Sequence, residues 1–234
     1  MLAISATKQG NAGVASDQQI EAARYALLRR LAPALRHNMA GGLQPISMIA
    51  AMLEKRLLSA SPDLAIIAKN AAAMNSLSRE AAASCMDLMT WLAPKDNAMV
   101  PASAGIADAI ALIATDLSFR GFELVNETTD EHATVARNAL RNALMAALIT
   151  LTDTFKAPAS VRLTPQLEPE AGVIVIDINL VKSESDIMKS SGLSAYRALD
   201  WTDVEALAQA DGVVLAHTDS HARLRFQVQT VIGA

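Results

Sequence analysis

Apolar residues recur at helical spacing through the first third of the chain, and helical and alternating segments mix in the rest. From Asp17 to about Pro94 there is no strand signal; Ala, Leu, Met, Arg and Glu dominate, all good helix formers. Asp17 or Ser16 is placed to cap the first helix, and SASPD at 59–63 is the one clear turn, with Ser61 as the cap and Pro62 at the first helical position. A second helix is expected to run to about Trp91 and stop before Pro94. Two long arms of this kind cannot bury their apolar stripes alone, so an antiparallel helical hairpin completed as a dimeric four-helix bundle is expected over residues 17–96.

After about Asn97 the elements mix. Gly105 to Phe119 reads as an amphipathic helix, GFELVNETT as a short strand, and Ala133 to Phe155 as a long helix. ASVRLTPQL and GVIVIDINLV alternate like paired strands. WTDVEALAQADG is a helix ended by Gly212, and VVLAHTDSHARLRFQVQTVI closes the chain as two strands around a DSH turn. That order predicts an α+β chain whose second domain, 97–234, is an α/β sandwich with helices on one face of a mixed sheet. Residues 1–16 are expected to form a flexible tail.

Composition narrows the classes. Hydrophobic residues make up 52% and aromatics 3%, so aliphatic residues and Met must pack the core. A net charge of −4 without a basic cluster argues against a nucleic-acid surface. The single Cys85 excludes an internal disulfide and fits a reducing compartment, and its small-residue helical setting suits an inert thiol. No apolar run comes near the roughly 18–20 residues of a membrane helix, and there is no signal-peptide pattern, so a cytoplasmic protein without a membrane span is expected.

The chemistry concentrates in LRHNMAGGLQPI, residues 35–46. At roughly 100° per residue, Leu28, Leu31, Leu35, Met39, Ile46, Ile49, Leu53 and Leu57 form one stripe, and His37 falls about 200° round from Leu35. Its neighbours on that solvent side are Gln44 and Arg30. Gly41 sits one turn above His37, Gly42 falls on the buried stripe, and Pro45 removes a hydrogen bond to residue 41 and should bend the rod. Two readings are open: small residues clear space around His37 for a docking partner, or the histidine is an ordinary exposed one beside a packing-driven kink.

A dimeric helical hairpin with an exposed histidine early in its first helix, joined to an α/β sandwich, resembles the dimerisation and catalytic halves of bacterial sensor histidine kinases. In that family the histidine is followed by an acid, with proline and leucine five and six positions on. Here His37 and Leu43 match, Asn38 replaces the acid, Gly42 stands at the proline position, and a proline comes later as Pro45. The segment VPASAGIADAIALIATDLSFRGFELVNETTDEHATVARNALRNALMAALITLTDTFKAPASVRLTP is similar to the start of the kinase ATP-binding (Bergerat) domain, and WTDVEALAQADGVVLAHTDSHARLRFQVQTVI to its last helix and closing hairpin.

The departures decide what the resemblance implies. The asparagine for metal-bound phosphates aligns best with Asp153. The aspartate of the Asp-x-Gly-x-Gly adenine motif corresponds to Asp177, with no glycine after it. SAYRALD offers no second glycine-rich turn, and Gly192 in KSSGLS is isolated. Turns that carry side chains cannot close their backbone amides on a phosphate as glycine loops do. The expectation is a degenerate ATP site, no cofactor, and no kinase activity.

What remains is an exposed imidazole, a good acceptor and leaving group for a phosphoryl group near neutral pH. Transfer between it and a receiver aspartate needs mainly positioning and a Mg ion held by the receiver. The sequence is thus similar to bacterial histidine phosphotransferases built like a histidine kinase with a decayed ATP site, relaying phosphate between response-regulator receivers through His37. Asn38 would orient the imidazole, and Arg36 would meet receiver acids or phosphate; Gly41 and Gln44 complete the candidate docking face. A scaffold or inhibitor that binds a sensor kinase or regulator without carrying phosphate is the alternative, favoured by Asn38. Phosphatase activity is not expected, because the family's Thr or Asn four positions after the histidine is Gly41. His132, His217 and His221 read as structural, with HTDSH a weak metal pattern lacking a third ligand; Asp153 and Asp177 read as solvated or capping, and Trp91 and Trp201 as packing anchors.

Overall fold

The computed structural model describes residues 15–92, 98–128, 133–183 and 197–229. Most of the expected tail, together with His132 and Gly192, lies outside the described residues. The chain divides into two compact units, Met1–Leu31 with Asp96–Ala234, and Ala32–Lys95.

The second of these is a helical hairpin built from most of α1 (Asp17–Leu57) and all of α2 (Leu64–Leu92). Pro33 and Pro45 both sit inside α1 without interrupting it. Ser16 caps it through a reciprocal pair: Gln19 N donates to Ser16 Oγ at 3.3 Å and Ser16 N donates to Gln19 Oε1 at 2.8 Å. At the turn, Asp63 and not Ser61 caps α2, its Oδ1 accepting from Ala65 N at 3.0 Å and Ile66 N at 3.1 Å. A carboxylate that reaches two orphan N–H groups of the first turn fixes the start at Leu64, two residues later than Pro62 suggests.

The other unit is a two-layer α/β domain. Its elements are β1 (Met99–Pro101), α3 (Ala102–Phe119), β2 (Phe122–Asn126), β3 (Thr134–Ala136), a continuous helix α4 at residues 137–154, β4 (Ala159–Glu168), β5 (Val173–Lys182), α5 (Trp201–Ala210), β6 (Val214–His217) and β7 (His221–Gln229). α4 contains a π-helical stretch at Leu140–Leu144. The expected helix from Ala133 therefore loses its first residues to a strand: Val135 and Val100 are buried partners in the β1–β3 pair, and β-branched valine suits that position. The strand order is β1-β3-β7-β5-β4-β2, with β6 on β7; β2 and β4 run parallel and every other pair is antiparallel. Alternation sorts the faces, so Ile174, Ile176 and Ile178 are fully buried while Asp177 and Asn179 turn to the other side. Gly212 follows α5 with a φ of 68°, the left-handed geometry a glycine C-terminus accepts without strain.

One boundary and one helix differ from the sequence pattern. Asp17–Leu31 packs with the α/β domain, burying Ala23, Ala26, Leu27 and Leu31, so the hairpin unit begins at Ala32 and not at residue 17. α3 is long and apolar enough in length and composition to cross a membrane, although no such stretch stood out in the sequence. Its apolar side is used inside the domain, where Ile106, Ala109, Ile113 and Leu117 are at most 3% exposed.

Candidate functional site

His37 lies in the uninterrupted middle of α1 and is exposed, as are Arg36, Asn38, Gly41 and Gln44. A Cβ built at Gly41 meets nothing within 4 Å, whereas one at Gly42 lies 3.7 Å from the Ala81 Cβ. The adjacent glycines thus do different things: Gly42 is packed on α2, and Gly41 leaves open space one turn from His37. No described residue forms a hydrogen bond or ion pair with His37, Asn38 included. Met48, eleven residues on and on the same face by helical phase, is 68% exposed and gives that side an apolar edge.

Arg30 departs from its expected place beside His37 in solvent. Its side chain is only 11% exposed, and Nη2 donates to Asp153 Oδ1 at 2.9 Å. Arg120, just past α3, donates from Nη2 to the same oxygen at 2.6 Å and to Thr152 O at 2.8 Å, and stacks over the Phe122 ring at 5.5 Å. Asp116 completes the cluster, 3.6 Å from Arg120 and 4.0 Å from Arg30. Burial opposes the Arg30 charge, but the hydrogen bond and charge of Asp153, with Asp116, outweigh it and hold the guanidinium pKa above its usual value. Asp153 is therefore neither solvated nor a cap; it is the shared acceptor of two arginines.

Asp177 is also engaged. Its carboxylate accepts from Arg223 through Nε and Nη2, both at 2.8 Å, and lies 2.8 Å from His221 Nε2. The Arg223 hydrogen bonds lower its pKa, burial opposes them, and His221 adds to the lowering. These partners come from neighbouring register positions on β5 and β7, Asp177 facing Arg223 and Asn179 facing His221. Both carboxylates that the family resemblance sets at nucleotide-site positions are thus engaged by arginine side chains, Asp153 by Arg30 and Arg120 and Asp177 by Arg223.

The remaining histidine turns elsewhere. His217 stacks on Trp201 with ring centroids 3.8 Å apart and planes 7° from parallel, and its Nε2 lies 3.5 Å from Glu205. His217 and His221 of HTDSH thus serve opposite faces of the sheet, and no cluster of three metal-binding side chains exists among the described residues. At the far end of α5, Asn142 in the π-helical stretch donates to Asp211 Oδ2 at 2.7 Å. Burial raises the Asp211 pKa, against the Asn142 bond and the charge of Arg24 on α1. Sequence spacing gave no sign of this pair or of the Arg30–Asp153–Arg120 cluster, because each joins residues more than thirty positions apart.

No protein-family model and no curated protein matches the chain. Among solved structures it is similar to Acinetobacter baumannii histidine kinase AdeS, at 10% identity over 83% of this chain and 98% of that one, TM-score 0.43. It is similar to a histidine kinase from Burkholderia phymatum at 13% identity, over 91% of this chain and 97% of that one, TM-score 0.41. A third is histidine kinase ThkA in complex with response regulator protein TrrA, at 10% identity over 92% and 65% of the respective chains, TM-score 0.40. The described elements of the chain run in the order of a helical hairpin and then a mixed sheet with helices on one face.

Proposed function

We propose that the protein is a histidine phosphotransferase of a two-component phosphorelay, in which His37 carries a phosphoryl group between response-regulator receiver domains without ATP. The observation that supports it best is the contrast between the exposed, unpaired imidazole of His37, with open space at Gly41, and the committed carboxylates of Asp153 and Asp177. In the transfer, a neutral His37 nitrogen attacks the phosphorus of a receiver's aspartyl phosphate. The N–P bond forms, the P–O bond breaks, and the aspartate leaves as a carboxylate; a second receiver's aspartate reverses these events. Mg on the receiver steadies the moving charge, Arg36 meets receiver acids or phosphate, and Asn38 and Gln44 flank the imidazole. The hairpin acts as a homodimer in the cytoplasm: Met39, Leu43, Leu57, Met86 and Met89 are 38–69% exposed on it, apolar surface that a second hairpin would cover.

The alternative, a scaffold or inhibitor that docks on a sensor kinase or a regulator without accepting phosphate, is favoured by Asn38 in place of the acid. Incubation with a phosphorylated receiver separates the two. Acid-labile, base-stable label on the wild type that is lost in His37→Gln supports the relay; an unlabelled wild type that still binds the receiver replaces it with the scaffold.

A further inference from the structure

β2 (Phe122–Asn126) lies at one end of the sheet and, among the described residues, pairs only with β4. Ala159 N donates to Gly121 O and Glu127 N donates to Leu163 O, so the odd-numbered residues of this strand turn their backbone groups toward β4. The N–H and C=O groups of Phe122, Leu124 and Asn126 therefore face the other way, and no described strand receives them. Folded proteins blunt such an edge with lysine, proline or a bulge. FELVN carries none of these, and it pairs with β4 through five consecutive residues.

A cavity of about 430 Å³ lies along this edge, lined in part by Ala114 and Ser118 of α3 and by Phe122, Glu123 and Leu124 of β2. By alternation, Phe122 and Leu124 point to the same face of the sheet as the buried Ala159 and Val161, and Glu123 to the other. Glu123 is exposed, and no described residue forms a hydrogen bond or ion pair with its carboxylate. The nearest acids in sequence are both neutralised, Asp116 by Arg120 and Arg30, and Glu127 by Arg162. Phe119, 71% exposed at the end of α3, adds apolar surface beside Ser118.

We propose that the β2 edge takes up an extended segment of a partner protein as a further antiparallel strand, with a lysine or arginine opposite Glu123 and a small apolar residue on either side of it. The residues opposite Phe122 and Leu124 exchange N–H···O bonds with them and turn their side chains toward the cavity. The residue between them is a non-hydrogen-bonded neighbour of Glu123, the geometry that brings facing side chains closest, so a cation there meets the free carboxylate. Backbone pairing supplies affinity, and the cavity and Glu123 supply selectivity for an apolar–basic–apolar segment.

The test uses the full chain and a capped, fluorescent seven-residue peptide whose valine–lysine–valine core is flanked by threonine and serine. Binding is read by fluorescence anisotropy, and hydrogen exchange should show the amides of Phe122, Leu124 and Asn126 protected only when peptide is present. Methylating the backbone nitrogen of either valine should abolish binding, whereas methylating that of the lysine should be tolerated, because only the valine amides point at β2. Glu123→Lys should weaken the peptide at least about tenfold, and a glutamate-for-lysine peptide should bind that variant better than the wild type. Ser118→Trp, at an exposed position, should fill the cavity and weaken binding without lowering the melting temperature. No binding by the wild type at about 1 mM peptide, or equal loss on methylating lysine and valine, overturns the proposal. Protection of these amides without peptide overturns it too: protection that grows with protein concentration assigns the edge to a second copy, and protection at every concentration assigns it to another part of this chain.

Discussion

Arg30 and Arg120 share one oxygen of Asp153, at 2.9 Å and 2.6 Å, so a single carboxylate ties α1 to the ends of α3 and α4. All three side chains are 11–18% exposed, which limits screening by solvent and makes the loss of any one partner costly. Asp153→Ala should destabilise the domain by about 2–4 kcal/mol, since it leaves two guanidinium groups without their acceptor in a half-dry setting. Arg30→Ala should cost less, about 1–3 kcal/mol, because Asp153 keeps Arg120. Urea unfolding of the single and double variants measures the coupling, and additive effects would show that the cluster does not act as one unit.

Asp153→Asn places an asparagine where the family resemblance would expect one. It should not create Mg-ATP binding in a calorimetric titration, because Asp177 remains held by Arg223 and His221. Micromolar binding by this variant, or by the wild type, would show that the ion pairs open to admit nucleotide.

Among the described residues, the glycines at 41, 42 and 105 lie in helices and predict three outcomes. Gly41→Ala finds open space and should gain up to about 1 kcal/mol of helix stability while slowing phosphotransfer if a receiver uses the gap. Gly42→Ala makes an ordinary contact with Ala81 and should raise the melting temperature with no change in transfer. Gly105→Ala should instead destabilise by about 1–3 kcal/mol, because its Cβ would lie 2.5 Å from Leu140 Cδ1 and 3.0 Å from Val100 Cγ2, both buried. Thermal melts and the transfer rate of each variant separate propensity from packing.

Two aspartates set opposite pH dependences. The folded-state pKa of Asp177 is lowered, so its stabilisation is present above the usual carboxylate pKa and is lost as pH falls through the folded value. That of Asp211 is raised by burial, so its contribution is best in acid and is lost as pH rises through the folded value. Asp177→Asn should therefore destabilise at pH 7 and converge on wild type in strong acid. Asp211→Asn, which keeps a neutral carbonyl acceptor for Asn142, should stabilise at pH 7 and lose that advantage below about pH 4. Unfolding curves at a series of pH values check both signs.

Much of the layout was legible because it follows from local patterns. The 3.6-residue period gave the two long helices, and period-two alternation in VIVIDINLV gave β5 and its partner. Gly212 announced the end of α5, since a left-handed residue after a helix favours glycine. The exposure of His37 also followed from its phase against Leu35. Sequence alone did not determine where α1 changes allegiance. Its first half buries Ala23, Ala26 and Leu27 with the α/β domain, and its second half packs a different side, at Gly42, against Ala81 of α2. A single helical wheel cannot hold two stripes, so Arg30 looked solvent-facing until Asp153 and Arg120 were brought to it from other helices. β3 displaced the start of the predicted helix because pairing with β1 and β7 outweighs the local helical preference of three residues. Local periodicity determines which elements form, because each reads only its near neighbours. Which charges are paired depends on residues distant in sequence, and only the tertiary structure decides that.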